Sequence, residues 1–223
     1  MIFKIIIPAR GNSKRLPGKN MKILGSKPLI QHSIDSALKT FSNKDIWVNS
    51  DDREILEFAN TKGIMTLLRP DELANDLSST ADVLKHHVNY FKKNKIACDA
   101  IILLQPTNPF REDSLFEEAL NYFKKSERNS LATFSVSEKK LGKIENAFFK
   151  PTNYVPGQRS QDLEKLYFEN GLLYITKIDS ILDGKVITDD VYPLICNTIE
   201  STVDIDYLND FIFAEFILKL KNK

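Results

Sequence analysis

Short apolar segments alternate with amphipathic helical segments along the first half of the chain, and this alternation constrains the fold most. Residues 2–7 form a β-branched run that ends at Pro8, which is typical of a buried parallel strand. Three further apolar runs, at 46–48, 65–68 and 100–104, are each followed by apolar residues at helical spacing. The pattern predicts an α/β fold with a three-layer, open, mainly parallel, Rossmann-like sheet covered by helices on both faces.

The second half of the chain departs from this alternation. After an apolar run at 131–136, residues 137–165 are mostly polar and contain Pro151, Pro156 and Gly157. We expect this excursion, here called the arm, to form a flap or a dimerisation arm. Regular structure is predicted to resume with a strand at 172–175. At 223 residues the chain fits a single domain, residues 1–223, with a sizeable core.

Charge and composition exclude several classes of protein. Thirty-one basic and thirty acidic residues give a formal net charge of +1, which argues against a nucleic-acid binder. Cys98 and Cys196 follow no metal-ligand spacing and are expected to be buried thiols in a reducing compartment. The N-terminus is too short and too early-charged for a signal peptide, and no apolar run approaches the ~20 residues needed to span a membrane. We therefore expect a cytoplasmic protein without a membrane segment.

The loop after the first strand, residues 8–20, combines cations with glycines and is here called the first loop. Arg10 is suited to hold a phosphate bidentately, with Lys14 and Lys19 as point charges near the backbone of Gly11. Six residues rather than four separate Gly11 from Gly18, so the Walker A pattern is absent, as is GxGxxG. The alternative interpretation is a solvated, flexible basic loop without a ligand. The position of the first loop directly after a strand favours a polyphosphate site.

Asp204 and Asp206 form the strongest acidic pair in the sequence. In an extended segment, residues two apart point to the same face, so both carboxylates can meet one cation. Carboxylate oxygens suit Mg²⁺, which completes its shell with water and substrate phosphates. The alternative is that Asp206 caps the final helix. The three histidines lie outside the strand-end loops and are not assigned to catalysis; His87 falls on the apolar stripe of its helix.

Five segments, in order along the chain, resemble the acylneuraminate cytidylyltransferases (CMP-sialic acid synthetases), and more distantly the 3-deoxy-manno-octulosonate cytidylyltransferases. They are IIPARGNSKRLPGKN (6–20), LRPDELANDLSST (68–80), LLQPTNPFR (103–111), RSQDLEKLYFENGLLYIT (159–176) and VDIDYLNDF (203–211). The resemblance implies a nucleotide-diphospho-sugar transferase-like fold. It also implies a homodimeric, magnesium-dependent enzyme of surface polysaccharide biosynthesis, which uses CTP to activate a nonulosonic (sialic-acid-like) keto-sugar acid.

The resemblance also implies roles for individual residues. The catalytic residues are Arg10, Lys19, Asp204 and Asp206, and the last two are the metal ligands. The nucleotide-binding residues are Ala9, Arg10, Gly11, Ser13, Lys14, Lys19, Asn20, Arg69, Ser79 and Thr80. The sugar-binding residues are Gln105, Arg111, Arg159, Gln161, Tyr167, Asn170 and Gly171. Without the resemblance, Ser79 or Thr80 is predicted to cap the next helix.

Two segments depart from the family pattern. Arg159-Ser160 stands where many members have two adjacent basic residues, and residues 137–140 stand where many carry a His-Pro pair. Substrate choice is expected to differ accordingly. The alternatives are a 3-deoxy-manno-octulosonate cytidylyltransferase and a non-catalytic nucleotide-binding module of the same fold, against which the acidic pair counts. A nucleic-acid binder lacks support because aromatic residues do not interleave with the basic loop.

Overall fold

A computed structural model describes residues 1–11, 13–75 and 78–221. Asn12, Asp76 and Leu77, which belong to the segments quoted above, lie outside the described residues. The strands are β1 (Phe3–Pro8), β2 (Ile23–Leu24), β3 (Lys27–Pro28), β4 (Ile46–Ser50), β5 (Met65–Leu68), β6 (Ala100–Leu103), β7 (Ser130–Ser137), β8 (Gly142–Glu145), β9 (Phe148–Pro151), β10 (Leu166–Lys177) and β11 (Tyr192–Ile195). The helices are α1 (Leu29–Leu38), α2 (Arg53–Thr61), α3 (Thr80–Lys93), α4 (Leu115–Ser126), α5 (Ile178–Leu182) and α6 (Leu208–Lys221).

Among the described residues, seven strands form one central sheet in the order β11-β7-β10-β6-β1-β4-β5. Strand β10 runs antiparallel to both of its neighbours, whereas the other adjacent strands are parallel. The predicted mainly parallel sheet is therefore confirmed. The antiparallel β10, its start at Leu166 rather than at 172, and the elements α5 and β11 were not predicted.

Side chains on the two faces of the sheet form separate cores. Along β1, Ile5 and Ile7 pack on one face against apolar residues of α1, α2 and α4. Ile6 packs on the opposite face against residues of α3 and α5. Burial of each such side chain stabilises the fold by roughly 1.5–3 kcal/mol. The strands are thus covered on both faces, as a three-layer α/β fold requires.

A third apolar cluster joins the two ends of the chain. Leu16 of the first loop packs with Val203 and Ile205, and with Phe211 of α6. These contacts place the segment that carries Asp204 beside the first loop. The proximity of the cationic loop and the acidic pair therefore rests on an apolar cluster as well as on charge.

Within the arm, β8 and β9 form a separate two-stranded antiparallel sheet. Its apolar side chains are strongly exposed, with Ile144 at 78% and Phe148 at 73%. Elsewhere, Cys98 and Cys196 are free thiols that are half-buried, rather than fully buried as expected. In the described part of the chain, the helices are too short or too polar to cross a membrane.

His87 of α3 is fully buried against Trp47 and Phe91. Among the described residues, neither ring nitrogen of His87 has a hydrogen-bond partner. Burial lowers the pKa of His87 to about 3, and the nearby His86 and Arg69 add to this effect. The ring is therefore neutral in the folded protein over the physiological pH range.

We predict that His87 makes the fold sensitive to acid. Below the ordinary histidine pKa of about 6.5 the unfolded chain takes up a proton that the folded chain does not, so the free energy of unfolding falls by about 1.4 kcal/mol per pH unit as the pH drops towards 3. Urea unfolding of the wild type and of His87→Leu between pH 7.5 and 5 measures this. The variant should show the shallower pH dependence; equal slopes would contradict the assignment.

Candidate active site

A cleft of about 420 Å³ lies at the edge of the sheet where β1, β5 and β6 end. Three loops that follow these strands meet there, as expected for an open parallel sheet: the first loop, the second loop (69–80) and the third loop (105–111). The cleft is lined by Pro8, Arg10, Lys19, Asn20, Arg69, Asn75, Ser78, Ser79, Thr80, Val83, Gln105, Pro106, Thr107, Asp204 and Asp206.

The first loop is held in place through its backbone. The Gly11 amide donates to Asp51 Oδ1 at 3.0 Å, and Asn20 Nδ2 donates to the Arg10 carbonyl at 2.9 Å. A methyl group on Gly11 would stand 2.7 Å from the Asp52 Cβ, so the chain passes here only without a side chain. Asn20 is buried and ties the two ends of the loop together. The sequence did not indicate Asp51 as an anchor of this loop.

Arg69 enters the cleft from the second loop with its guanidinium largely buried. Its Nε donates to Asn49 Oδ1 at 2.6 Å and its Nη2 to the Asn49 carbonyl at 3.3 Å. Burial lowers the pKa of Arg69, while the Asp51 carboxylate raises it and Arg10 lowers it further. Asn49, a fully buried polar residue inside β4, was missed by the sequence analysis; its polar side chain in an apolar strand was the available signal.

The acidic pair lies on the cleft side of an extended segment, residues 203–206. Val203 and Ile205 point into the apolar cluster, while Asp204 and Asp206 line the cleft, as the alternation predicted. Lys19 Nζ donates to Asp206 Oδ1 and to the Ile205 carbonyl, both at 2.9 Å. The Arg15 guanidinium pairs with Asp206 Oδ2. The first loop and the acidic pair, which the sequence places at opposite ends of the chain, are thus in direct contact.

The two carboxylates have opposite pKa shifts. Desolvation in the cleft raises the pKa of Asp204, and Asp206 and Asp210 raise it further against the opposing effects of Thr107 and Lys19. Desolvation also favours the protonated form of Asp206, but the hydrogen bond and charge of Lys19, followed by Arg15, outweigh it and lower its pKa. The negative charge of Asp206 is therefore compensated by Lys19 and Arg15, whereas the surroundings of Asp204 disfavour its negative charge.

Asp210, in the first turn of α6, reaches back to the backbone that leads into the helix. Its Oδ2 accepts the backbone N–H of Asp206 at 3.0 Å and that of Tyr207 at 2.7 Å. The alternative role of Asp206 as a helix cap is not seen among the contacts of the described residues, in which its carboxylate binds Lys19 and Arg15. The contact instead fixes the backbone of Asp206, which leaves its carboxylate turned to the cations. Arg15 also lies over the ring of Tyr207, 5.5 Å from its centroid.

Most of the predicted nucleotide-binding residues line the cleft, and the others lie in the first loop without lining it. Arg10, Lys19, Asn20, Arg69, Ser79 and Thr80 line the cleft. Ser79 also caps α3 in a capping box with Asp82, so the structural interpretation of this residue holds as well. Within the first loop, Ala9 and Ser13 are buried and Lys14 is exposed, and none of the three lines the cleft. Ala9 and Ser13 therefore support the loop.

Of the predicted sugar-binding residues, Gln105 is the one that lines the cleft among the described residues. Asn170 is buried, with its side chain bonded to Ser135 Oγ and to the Leu172 amide. Gly171 packs directly against the third loop. The structure places the remaining predicted residues outside the cleft, where they are exposed within the single chain: Arg159, Gln161 and Tyr167.

Arg111 does not face the cleft, contrary to its predicted contact with the sugar. Its side chain is 7% exposed, and it donates from Nε to the Leu172 carbonyl at 2.7 Å, from Nη1 to Ser33 Oγ at 3.0 Å and from Nη2 to the Gln105 carbonyl at 2.9 Å. Burial lowers its pKa to about 9. The guanidinium joins the third loop to β10 and thereby supports Gln105 from behind.

Asp204 and Asp206 are the residues of the cleft best suited to hold a metal ion. No group of three or more His, Cys, Asp and Glu side chains forms a metal-binding cluster in the described part of the chain. Two carboxylates are nonetheless a sufficient protein contribution for Mg²⁺ when substrate phosphates supply the remaining oxygens. The donor set therefore fits a cation that arrives together with a polyphosphate.

Comparison with known proteins places the chain within one family. Residues 4–219 match the family model described as "Cytidylyltransferase". An N-acylneuraminate cytidylyltransferase from Streptococcus agalactiae serotype III (strain NEM316) is 34% identical over 215 residues, which cover 93% of this chain and 51% of that protein. The chain thus spans about half the length of this curated relative.

Two further proteins resemble the chain over nearly its whole length. A CMP-N,N'-diacetyllegionaminic acid synthase from Legionella pneumophila (strain Philadelphia 1) is 31% identical over 226 residues, covering 98% of this chain and 97% of that protein. Among solved structures, a CMP:2-keto-3-deoxy-manno-octonic acid synthetase complexed with CTP has a TM-score of 0.72 at 18% identity, covering 99% of this chain and 100% of that chain. The latter likeness confirms the predicted fold class.

Gly171 is predicted to be required for the close contact between β10 and the third loop. Gly171 has φ +75°, and a methyl group added there would overlap Asn108 Oδ1 and stand 2.8 Å from Gln105 Oε1. Gly184 is a matched control, because it has φ +81° and nothing lies within 4 Å of an added methyl group.

Both Gly171→Ala and Gly184→Ala should lose about 1–2 kcal/mol of unfolding free energy through the left-handed backbone. Gly171→Ala should lose a further 1–3 kcal/mol or so through the overlap. Urea unfolding measures both variants. Equal losses would show that the third loop moves aside without strain.

Proposed function

The chain belongs to the cytidylyltransferase family, and we propose that it transfers CMP from CTP to the anomeric hydroxyl of a nonulosonic (sialic-acid-like) keto-sugar acid, releasing pyrophosphate. The observation that carries the proposal is the cleft itself, whose lining combines the cations Arg10, Lys19 and Arg69 with the carboxylates Asp204 and Asp206. Cations for the phosphates and carboxylates for a metal ion, within one cleft, suit a metal–nucleotide complex. The names of the two curated relatives support an acylated nine-carbon sugar acid as the acceptor.

In this proposal the triphosphate of CTP lies along the first loop. Arg10 and Lys19 contact its oxygens and neutralise the charge that develops on the departing pyrophosphate. Arg69 and Asn20, both buried at the cleft wall, are placed to bind the nucleotide's base or ribose, since Asn49 holds Arg69 rigidly. Binding at this position brings the α-phosphorus towards the acidic pair.

Asp204 and Asp206 would hold the magnesium ion. When bound, the ion would supply positive charge to the phosphate oxygens and orient them. Asp206 is paired with Lys19 and Arg15 in the ligand-free chain, so these cations must pass from the carboxylate to the incoming phosphates. That exchange keeps every charge compensated while the nucleotide enters. A reaction that consumes CTP also fits the cytoplasmic location expected from the sequence.

Pyrophosphate release measured with each nucleoside triphosphate against a panel of keto-sugar acids tests the proposal. We expect activity with CTP and an N-acylated nonulosonic acid in the presence of Mg²⁺. Activity with 3-deoxy-manno-octulosonate alone would transfer the assignment to that acceptor. Binding of CTP with no turnover on any acceptor would instead identify a nucleotide-binding module.

Asp206→Asn should reduce kcat by about a hundredfold or more, because removing a preorganised charge at the reacting phosphates typically has this effect. The unfolding free energy should fall by only about 1–3 kcal/mol, the scale of a lost charge-assisted hydrogen bond, because the variant gives up the partly buried pair with Lys19. Asp189→Asn, at a fully exposed carboxylate paired with Lys185, is the matched control. Turnover of Asp206→Asn close to that of the control would reject the metal role.

The arm is proposed to form the contact of a homodimer. An isolated two-stranded hairpin is marginally stable in water, yet β8 and β9 expose Ile144, Phe148 and Phe149. A second copy of the chain would cover these side chains and would also bring exposed arm residues such as Arg159 close to a neighbouring cleft. The exposed positions of Arg159, Gln161 and Tyr167 in the single chain are consistent with this arrangement.

Sedimentation velocity tests the dimer. The wild type should sediment as a dimer, and Ile144→Ser combined with Phe148→Ser should shift it to a monomer, because the apolar contact is lost. Leu38→Ser combined with Met65→Ser alters two exposed apolar residues outside the arm and should leave the dimer intact. A monomeric wild type would overturn the proposal.

A further inference from the structure

Asn108, at the tip of the third loop, connects three segments of the site. Its side chain is 1% exposed and lies between the two prolines of the loop. Nδ2 donates to the Asn170 carbonyl at 2.7 Å and to the Val203 carbonyl at 3.0 Å, and Oδ1 accepts the Thr107 hydroxyl at 3.1 Å. The hydrogen-bonding groups of this buried amide are thus all directed at the backbone or side chains around the cleft.

The carbonyls bonded by Asn108 belong to two separate segments of the chain. Asn170 belongs to the irregular part of β10, and Val203 directly precedes Asp204. On the other side of Asp204, the Ile205 amide donates to the Thr107 carbonyl at 2.9 Å. The residues immediately before and after Asp204 are therefore both tied to the third loop, which leaves Asp204 little freedom to shift along the cleft.

We propose that Asn108 is a positioning residue that sets the location of Asp204 relative to Gln105, and thereby the geometry of the cation site. This inference rests on the proposed function. Asn108 itself does not line the cleft, so it acts through the backbone of residues 203–205 and not by contact with a substrate. Its effect should fall on the metal and the acceptor, and leave the nucleotide contacts of the first loop unchanged.

The amide group suits this task better than other side chains of its size. An apolar replacement would leave two buried carbonyls without a donor, and a carboxylate would place negative charge against them. Serine, which keeps a single donor, should satisfy one carbonyl and preserve part of the geometry. Asn108→Asp and Asn108→Ser therefore form a graded pair of variants.

Thr133 of β7 offers a matched control, because it also bonds to the backbone of β10. Its buried hydroxyl also makes two backbone bonds to β10, accepting from the Leu173 amide at 3.1 Å and donating to the Leu173 carbonyl at 3.2 Å. Thr133 does not line the cleft. Thr133→Val therefore removes two comparable hydrogen bonds from β10 without altering the segment that carries Asp204.

The experiment measures Mn²⁺ binding to the full chain with CTP by electron paramagnetic resonance, together with steady-state kinetics and the melting temperature. For Asn108→Asp we expect Mn²⁺ affinity and kcat each to fall about 10- to 100-fold, the scale of groups that orient metal ligands, with the KM for CTP changed less than about twofold. Asn108→Ser should recover part of both losses. Thr133→Val should lower the melting temperature with Mn²⁺ affinity and kcat unchanged.

Two results would overturn the proposal. One is an Asn108→Asp or Asn108→Ser protein that melts earlier but binds Mn²⁺ like Thr133→Val, which would make Asn108 a structural residue only. The other is a rise in the KM for CTP as large as the loss of Mn²⁺ affinity, which would show a general collapse of the cleft. If the wild type lacked transferase activity but the Asn108 variants still weakened Mn²⁺ binding, the proposed function would fail while the positioning role stood.

Discussion

The ion pair between Lys19 and Asp206 holds the two sides of the cleft together. Nζ and Oδ1 are 2.9 Å apart, although 187 positions separate the two residues in the chain. The Lys19 side chain is largely buried, so the pair is screened less than an exposed one and contributes more to stability. Beneath it, Leu16 packs against Val203 and Ile205. The ion pair and the apolar contacts thus both hold the first loop against the segment that carries the acidic pair.

A consequence of this pairing is that the two carboxylates face an incoming cation in different states. Asp206 already has compensating charge from Lys19 and Arg15, and its pKa is lowered. Asp204 stands beside Asp206 and Asp210 in a partly desolvated position, and its pKa is raised. A divalent cation would relieve the repulsion at Asp204 directly, whereas at Asp206 it would have to replace existing partners. In the proposed site, Asp204 is therefore the carboxylate that would gain most from a metal, and the residues on both sides of it are tied to the third loop.

The sequence predicted those features that follow from short-range pattern. β1, β4 and β6 were predicted because strands buried on both faces are continuously apolar. The apolar run of β5 was recognised in the same way, although β5 is a partly exposed edge strand. The position of the cleft where three strands end is the one that an open parallel sheet favours. The first half of β10 could not be predicted in this way, because residues 166–169 are partly exposed and their pairing with β7 is non-local. The burial of Arg111 was not predicted for a related reason: charged residues are rarely buried, so a conspicuous arginine in a loop suggests a ligand contact.

The polar groups of the third loop explain why that loop is the fixed side of the cleft. Arg111 is buried with carbonyl and hydroxyl acceptors, and its lowered pKa reflects how strongly desolvation acts on it. Its three directional hydrogen bonds fix a geometry that apolar packing alone would define less sharply. Together with Asn108 and two prolines, these bonds hold Gln105 and Thr107 in place before any substrate binds. The first loop contacts Asp206 through the ion pairs of Arg15 and Lys19. Phosphate oxygens can take the place of the carboxylate in these pairs, so we expect the first loop, and not the third, to rearrange when the nucleotide binds.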